Sequence, residues 1–242
     1  MNCFFKHSCM QQNEMLKQSC SLNRKSDAGK TCLYHFGVSH IVERKGTLCG
    51  VEIKSSWLEG QLASRPLPQH YLAHINEYKR MLATLSIRLE QDSNNSLHNT
   101  QLFLAVERIF LLDSEIIKAL LALATALRRL EMTLVIILKN HSDELSQYTS
   151  HIKYLLRDAG IKFCLACKFD SNIKTAYPFD FLMFDSKNLQ IAIEKQQDNE
   201  IVDSLFTMRE RGFSLILSGI ADAADYSVGL ALPFTCFQSV KA

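Results

Sequence analysis

From residue 101 onward the chain alternates short apolar runs with amphipathic stretches, and this alternation constrains the fold more than any other feature. Residues 101–107 alternate as a strand does, 114–130 carry helical spacing, 133–139 (Thr-Leu-Val-Ile-Ile-Leu-Lys) read as a buried strand, and 143–159 are helical with Gly160 as the cap. The series continues with strands at 161–167 and 179–184, a helix at 199–211 ending at Gly212, and a strand at 213–218. A short helix near 222–230 and a last strand near 234–238 complete it. Strands that are continuously apolar, each followed by an amphipathic helix, predict an α/β fold with a parallel sheet covered on its faces. Both a doubly wound sheet and a (β/α) barrel satisfy that pattern, and periodicity does not choose between them.

The N-terminal part is different in character. Residues 33–42 and 47–54 read as two strands joined at Lys45-Gly46 in a hairpin-like entry to the fold, and helical spacing runs over 69–89. Residues 92–100 form a polar, turn-rich loop. Residues 1–31 have no periodicity and are rich in Ser, Asn, Gln and Lys, so they are expected to be a flexible polar leader before one domain over 32–242. A 242-residue chain that is 47% hydrophobic and 21% charged is long enough to bury one substantial core.

Charge excludes some functions. The net charge is +2, but Lys6, Lys17, Arg24, Lys25 and Lys30 against Glu14 and Asp27 put +3 in the leader and −1 in the remainder. The body lacks the clustered basic footprint that neutralises phosphates, so direct nucleic-acid binding is not expected. The longest apolar stretch, from Ala119 to Leu127, is far short of the roughly 20 residues of a membrane span, and the first thirty residues have no secretory core. A cytoplasmic protein without a membrane partner follows, and its eight scattered cysteines are expected to be free thiols.

Five ordered landmarks carry a resemblance. Gly50-Val51-Glu52-Ile53-Lys54-Ser55-Ser56-Trp57 resembles an opening G-V-E-A-L-L-R-W motif. Residues 155–169, with Gly160 before a strand, are similar to a helix–Gly–strand running into D-D-F-G, and Pro178-Phe179-Asp180-Phe181-Leu182-Met183-Phe184-Asp185 to P-x-D-x-L-K-I-D. Ser218-Gly219-Ile220-Ala221 stands where A-E-G-V-E belongs, and Gln238-Ser239 where a Q-G pair belongs. These are the landmarks of the EAL family of cyclic di-GMP phosphodiesterases, which the chain resembles over residues 33–239.

The resemblance implies a TIM-like (β/α) barrel of the EAL type whose strand C-termini hold two divalent metals and the phosphodiester. Carried over by position, the first glutamate is Glu52, the second-strand asparagine falls on Glu107, the aspartate after the catalytic lysine is Asp185, and the final glutamine is Gln238. The remaining positions depart from the family. Its phosphate-contacting arginine falls on Ser56, the E-I-T-E glutamates on Ile137 and Asn140, and the D-D pair on Ala166 and Cys167. The lysine falls on Met183, and the A-E-G-V-E glutamates on Ser218 and Ala221. So few carboxylates are not expected to hold two adjacent dications, so no catalytic residue and no Mg²⁺ or Mn²⁺ site is predicted. The chain also ends soon after Gln238, before the family's closing helix, so a barrel incomplete at its C-terminus is expected.

The implied function is a catalytically inactive regulator that binds a protein partner, such as a transcription regulator of motility or surface attachment in bacteria. The alternatives are a non-hydrolysing cyclic di-GMP receptor and, less favoured, an active phosphodiesterase. Glu52 has a plainer role as the ion-pair partner of Lys54 or Lys168. Cys164-Leu-Ala-Cys167 has the C-x-x-C spacing of zinc and redox sites, but in a strand positions i and i+3 face opposite ways, so the sulfurs diverge. Cys3, Cys9 and Cys20 with His7 fit no common metal spacing.

Overall fold

The structure is a computed structural model and describes residues 36–55, 71–91, 99–139, 144–167, 179–194 and 198–240. The leader over 1–31, Ser56, Trp57, Asn140 and Lys168 lie outside the described residues.

Eight strands close into a barrel in sequence order: β1 (Phe36–Glu43), β2 (Leu48–Ser55), β3 (Gln101–Val106), β4 (Thr133–Lys139), β5 (Lys162–Cys167), β6 (Phe181–Asp185), β7 (Ser214–Ile220) and β8 (Cys236–Ser239). Strands β2 to β8 run parallel, whereas β1 is antiparallel to both neighbours. The hairpin-like entry read at Lys45-Gly46 is present, and the parallel run begins at β2. A two-strand turn at Lys45-Gly46 reverses the chain, with Gly46 N–H donating to Glu43 O at 2.8 Å, so β1 must oppose β2. The expectation of a barrel incomplete at its C-terminus does not hold for the strands: β8 pairs with β1 through Ile41↔Gln238, Val42↔Phe237 and Glu43↔Cys236, which completes the ring.

Around the barrel lie α1 (Tyr71–Gln91), α2 (Ser114–Arg129), α3 (Glu144–Asp158), α4 (Ser186–Glu194), α5 (Asp198–Glu210) and α6 (Ala223–Ala231). A 3-10 turn, Arg108–Leu112, precedes α2. Asp113 starts α2 by accepting from Glu115 N–H and Ile116 N–H at 2.9 and 3.0 Å, satisfying two donors that have no intrahelical acceptor. Ile116, Leu120, Leu123 and Leu127 then form the buried stripe that holds this helix on the sheet. Gly160 and Gly212 end α3 and α5 at φ of 78° and 90°, a left-handed conformation that a side chain would strain.

Alternation along the strands builds two apolar shells. Inside the barrel lie Ile41, Phe103, Val135, Ile137, Cys164, Phe181, Met183, Ile216 and Cys236. Their strand neighbours, such as Leu102, Leu104, Ile136, Leu165, Leu182 and Leu217, face outward into the larger core beneath the helices. Cys164 and Cys167 fall in different shells, as the strand period requires. Gly50 is fixed by space: a Cβ there would stand 2.5 Å from Gln101 O and 2.8 Å from the Phe103 ring. That close approach lets Phe103 reach across the interior to Phe181, ring to edge at 5.3 Å.

Among the described residues no helix is long and apolar enough to cross a membrane. The α4 helix was not expected from sequence. It is short, capped by Asp185, and buries Ser186, Leu189 and Ala192 at three-residue spacing.

Candidate functional site

The C-terminal ends of β2 to β8 gather at one mouth, where TIM-type barrels place their chemistry. Of the four residues singled out from sequence, Glu52 and Gln238 lie on β2 and β8, Asp185 ends β6 and Glu107 follows β3, and the structure joins Glu52 to Gln238 while Asp185 and Glu107 have other surroundings.

Glu52 points from β2 with its side chain 12% exposed. Gln238, 3% exposed on β8, donates from Nε2 to Glu52 Oε2 at 2.5 Å, and Lys54 Nζ stands 3.6 Å from the same oxygen. Two residues of the anticipated set therefore meet, and the lysine two positions along β2 supplies the countercharge. Asp185 ends β6 and turns to the helix that follows, with Oδ1 accepting from Lys187 N–H at 3.0 Å and Asn188 N–H at 3.3 Å. It is an N-cap, placed where a carboxylate also suits the helix dipole.

Glu107 follows β3 and stands at the start of the 3-10 turn without a side-chain capping bond. Its charge acts on Tyr78 of α1, whose phenol is pushed up chiefly by burial and further by that carboxylate. Tyr78 keeps its proton and donates it to Ala105 O at 3.0 Å.

The other mouth positions are apolar or occupied. Ile137 and Met183 are buried in the inner shell with Ala166 packed against it, while Cys167 faces the outer core. Ser218 Oγ donates to Phe184 O at 3.1 Å, which bonds β7 to β6. Ala221 N–H donates to Asp225 Oδ2 at 2.8 Å, and Gln190 Nε2 donates to Oδ1 of the same buried aspartate. Asp225 was missed from sequence. Its signal is the Asp222-Ala-Ala-Asp225 start of α6, in which Asp222 caps the helix and Asp225 ties the loop before it to α4.

Among the described residues no three His, Cys, Asp or Glu side chains come together as metal ligands. A second knot lies at the opposite end of β6. Asp180 Oδ2 accepts from Phe163 N–H at 2.9 Å and Oδ1 from Arg157 at 3.2 Å, which anchors α3 and β5 to the loop before β6. Sequence reading placed Asp180 only within the P-x-D strand.

No protein-family model and no curated relative matches the sequence. Solved structures do match. The Klebsiella pneumoniae BlrP1 calcium/cy-diGMP complex aligns at a TM-score of 0.64 and 14% identity, over 85% of this chain and 54% of that one. The fold is that of an EAL-type barrel. The EAL enzyme Bd1971 in its cGMP-bound form matches at TM-score 0.61 and 12% identity, over 93% of this chain and 69% of that one. The PaMucR phosphodiesterase, c-di-GMP complex, matches at 0.58 and 14%, over 84% and 92%. The EAL-type barrel thus spans about half the length of BlrP1 and nearly all of the PaMucR chain. At these identities the likeness concerns the fold, and its strand-end residues must be read on their own chemistry.

Proposed function

We propose that this EAL-type barrel is a catalytically inactive regulator of the bacterial cytoplasm that works by binding a protein partner, such as a transcription regulator of motility or surface attachment. The observation that carries the reading is the occupation of Glu52. Its Oε2 is shared between the Gln238 amide at 2.5 Å and Lys54 at 3.6 Å. A divalent cation at that oxygen would have to displace an amide and approach an ammonium.

The donor set does not fit two hard cations. Mg²⁺ and Mn²⁺ take oxygen ligands in near-octahedral sets, and a two-metal site needs several carboxylates between its ions. Glu52 is committed, Asp185 caps a helix, and Ile137, Ala166 and Met183 offer no oxygen from their side chains.

A protein-binding role is supported by apolar side chains left outside. Leu112 on the 3-10 turn and Tyr154 and Leu155 on the adjoining α3 are 45%, 47% and 52% exposed, and the two elements are in contact. Neighbouring exposed apolar groups on packed elements suit a partner better than isolated ones do.

The test is calorimetric titration of the pure protein with cyclic di-GMP, with and without Mn²⁺, followed by chromatography of the nucleotide. The reading expects neither heat nor product. Heat without product would make the barrel a non-hydrolysing receptor, and metal-dependent product would overturn inactivity altogether.

A further inference from the structure

The floor of the barrel, at the end opposite the mouth, holds a cavity of about 650 Å³. Gln101, Lys162 and Ser214, which line it, are the first residues of β3, β5 and β7. Each stands two positions before an inner-shell residue (Phe103, Cys164 and Ile216), so all three point into the barrel. Barrel interiors of this kind are filled mainly by branched apolar side chains. Here an amide, an ammonium and a hydroxyl occupy one end. Gln101 Oε1 is buried with no hydrogen-bond partner, a state that costs free energy until a donor meets it. Lys162 Nζ lies 5.9 Å from the Phe181 ring centre and belongs to no ion pair among the described residues.

Three further cations line the cavity: Arg44 and Lys45 from the β1–β2 turn and Arg209 from α5. Arg44 is held in place through one nitrogen, Nη2, which donates to Leu230 O and Leu232 O at 2.7 and 2.6 Å. Arg209 likewise uses Nη1 alone, donating to Phe213 O at 3.2 Å. A guanidinium carries five N–H donors on three nitrogens, so both arginines are fixed by the backbone and still have donors for a ligand. Glu43 is the one acidic side chain among the described lining residues, and its Oε2 accepts from Thr47 Oγ1 at 2.7 Å. Four cations against one carboxylate leave the lining at +3.

We propose that this cavity binds a small organic phosphate, its phosphate group among Arg44, Lys45, Lys162 and Arg209 and a hydroxyl of the same molecule donating to Gln101 Oε1. Arginine forks and lysine point charges are the side chains that recognise phosphate oxygens, and two of each line this cavity. A bare anion such as sulfate would satisfy the cations but has no proton to give Gln101. A phosphate ester with a free hydroxyl meets both demands.

Size and placement favour a small molecule. The volume falls within the range of about 300–1,000 Å³ that small-molecule sites occupy, enough for a pentose phosphate or a nucleoside monophosphate. An acidic protein surface would reach Arg44 and Lys45 on the exposed turn, but not Gln101 and Lys162 on the inward face of the strands. The cavity is also separate from Glu52 and Gln238, so the proposal stands whether or not the mouth binds cyclic di-GMP.

The experiment titrates the full-length protein calorimetrically with ribose 5-phosphate and with adenosine monophosphate, and with sulfate as the anion that has no hydroxyl. Saturable binding of at least one organic phosphate, about tenfold or more tighter than sulfate, is the expected result, and the tighter of the two tells whether a nucleobase is accommodated. Lys162→Met should weaken that binding about tenfold or more, as the loss of a charged hydrogen bond does. Gln101→Leu should bring the organic phosphate down towards the affinity of sulfate and leave sulfate itself unchanged. Lysine acylation of the unmutated protein, mapped by peptide mass spectrometry, is the second measurement and requires no variant to fold. The bound phosphate should slow labelling of Lys45 and Lys162 several-fold and spare Lys118, which lies exposed on α2. Binding no tighter than that of sulfate, unchanged affinity in Lys162→Met or Gln101→Leu, or protection of Lys118 equal to that of Lys162 would each overturn the proposal.

Discussion

Gln238 and Glu52, 186 residues apart in sequence, are joined side chain to side chain at 2.5 Å across the strand that separates β2 from β8. The bond fastens the seam where the barrel closes. It also sets the chemistry of the mouth, since an amide and a lysine share the oxygen that a metal would need. Replacing Gln238 with Leu leaves a mostly buried carboxylate with Lys54 alone, and hydrogen bonds to charged groups contribute about 1.5–3 kcal/mol. A loss of that size is expected in urea unfolding. The Glu52→Leu/Gln238→Leu double variant should lose less than the two singles together, and strictly additive losses would show that the pair does not interact.

Asp180 is the centre of a different knot, and its removal tests how α3 is held. Asp180→Ala deletes the acceptor for Phe163 N–H and the partner of Arg157. The ion pair is partly exposed and contributes little by itself, but an unsatisfied backbone donor costs about 1–3 kcal/mol. Asp180→Asn retains an acceptor and should recover most of the loss. Equal destabilisation by both variants would place the stabilisation in the ion pair instead.

Gly50→Ala is expected to be costly although the change is one methyl group. Its Cβ would stand 2.5 Å from a backbone oxygen of Gln101, which cannot rotate away as a side-chain end can, and 2.8 Å from Phe103. Overpacking of this kind costs about 1–3 kcal/mol, read as a lowered midpoint of thermal unfolding. Gly37→Ala is the control, because its Cβ would meet only Lys54 O at 3.8 Å.

What the sequence disclosed depended on whether a feature was local. Strand β4 was legible to the residue because its run Leu134-Val135-Ile136-Ile137-Leu138 is buried on both faces and needs no partner to be recognised. Gly160 and Gly212 were legible because a helix end requires a positive φ. Helix α4 was not: nine residues with Lys187, Asn188, Gln190 and Glu194 on the outside give too short a stripe for its period to show. At the mouth, the resemblance singled out Glu52 and Gln238 as separate remnants. Their mutual bond became visible only when closure brought the ends of the chain together.

The buried thiols of β5 predict a loss of stability at high pH. Burial pushes Cys167 from the ordinary thiol value of 9.0 to about 12, and Cys164 is raised as well. Below pH 9 the thiols are protonated in both folded and unfolded chains and contribute no slope. Above it the unfolded chain releases protons that the folded chain retains, so the folded state binds more protons and stability falls as pH rises. Between about pH 9 and pH 12 each such thiol removes approximately 1.4 kcal/mol per pH unit. Urea midpoints measured from pH 8 to pH 11 should decline more steeply in the unmutated protein than in Cys167→Ala, which starts lower by its lost packing but has one thiol fewer to ionise. Parallel curves would mean that Cys167 does not differ in ionisation between the two states.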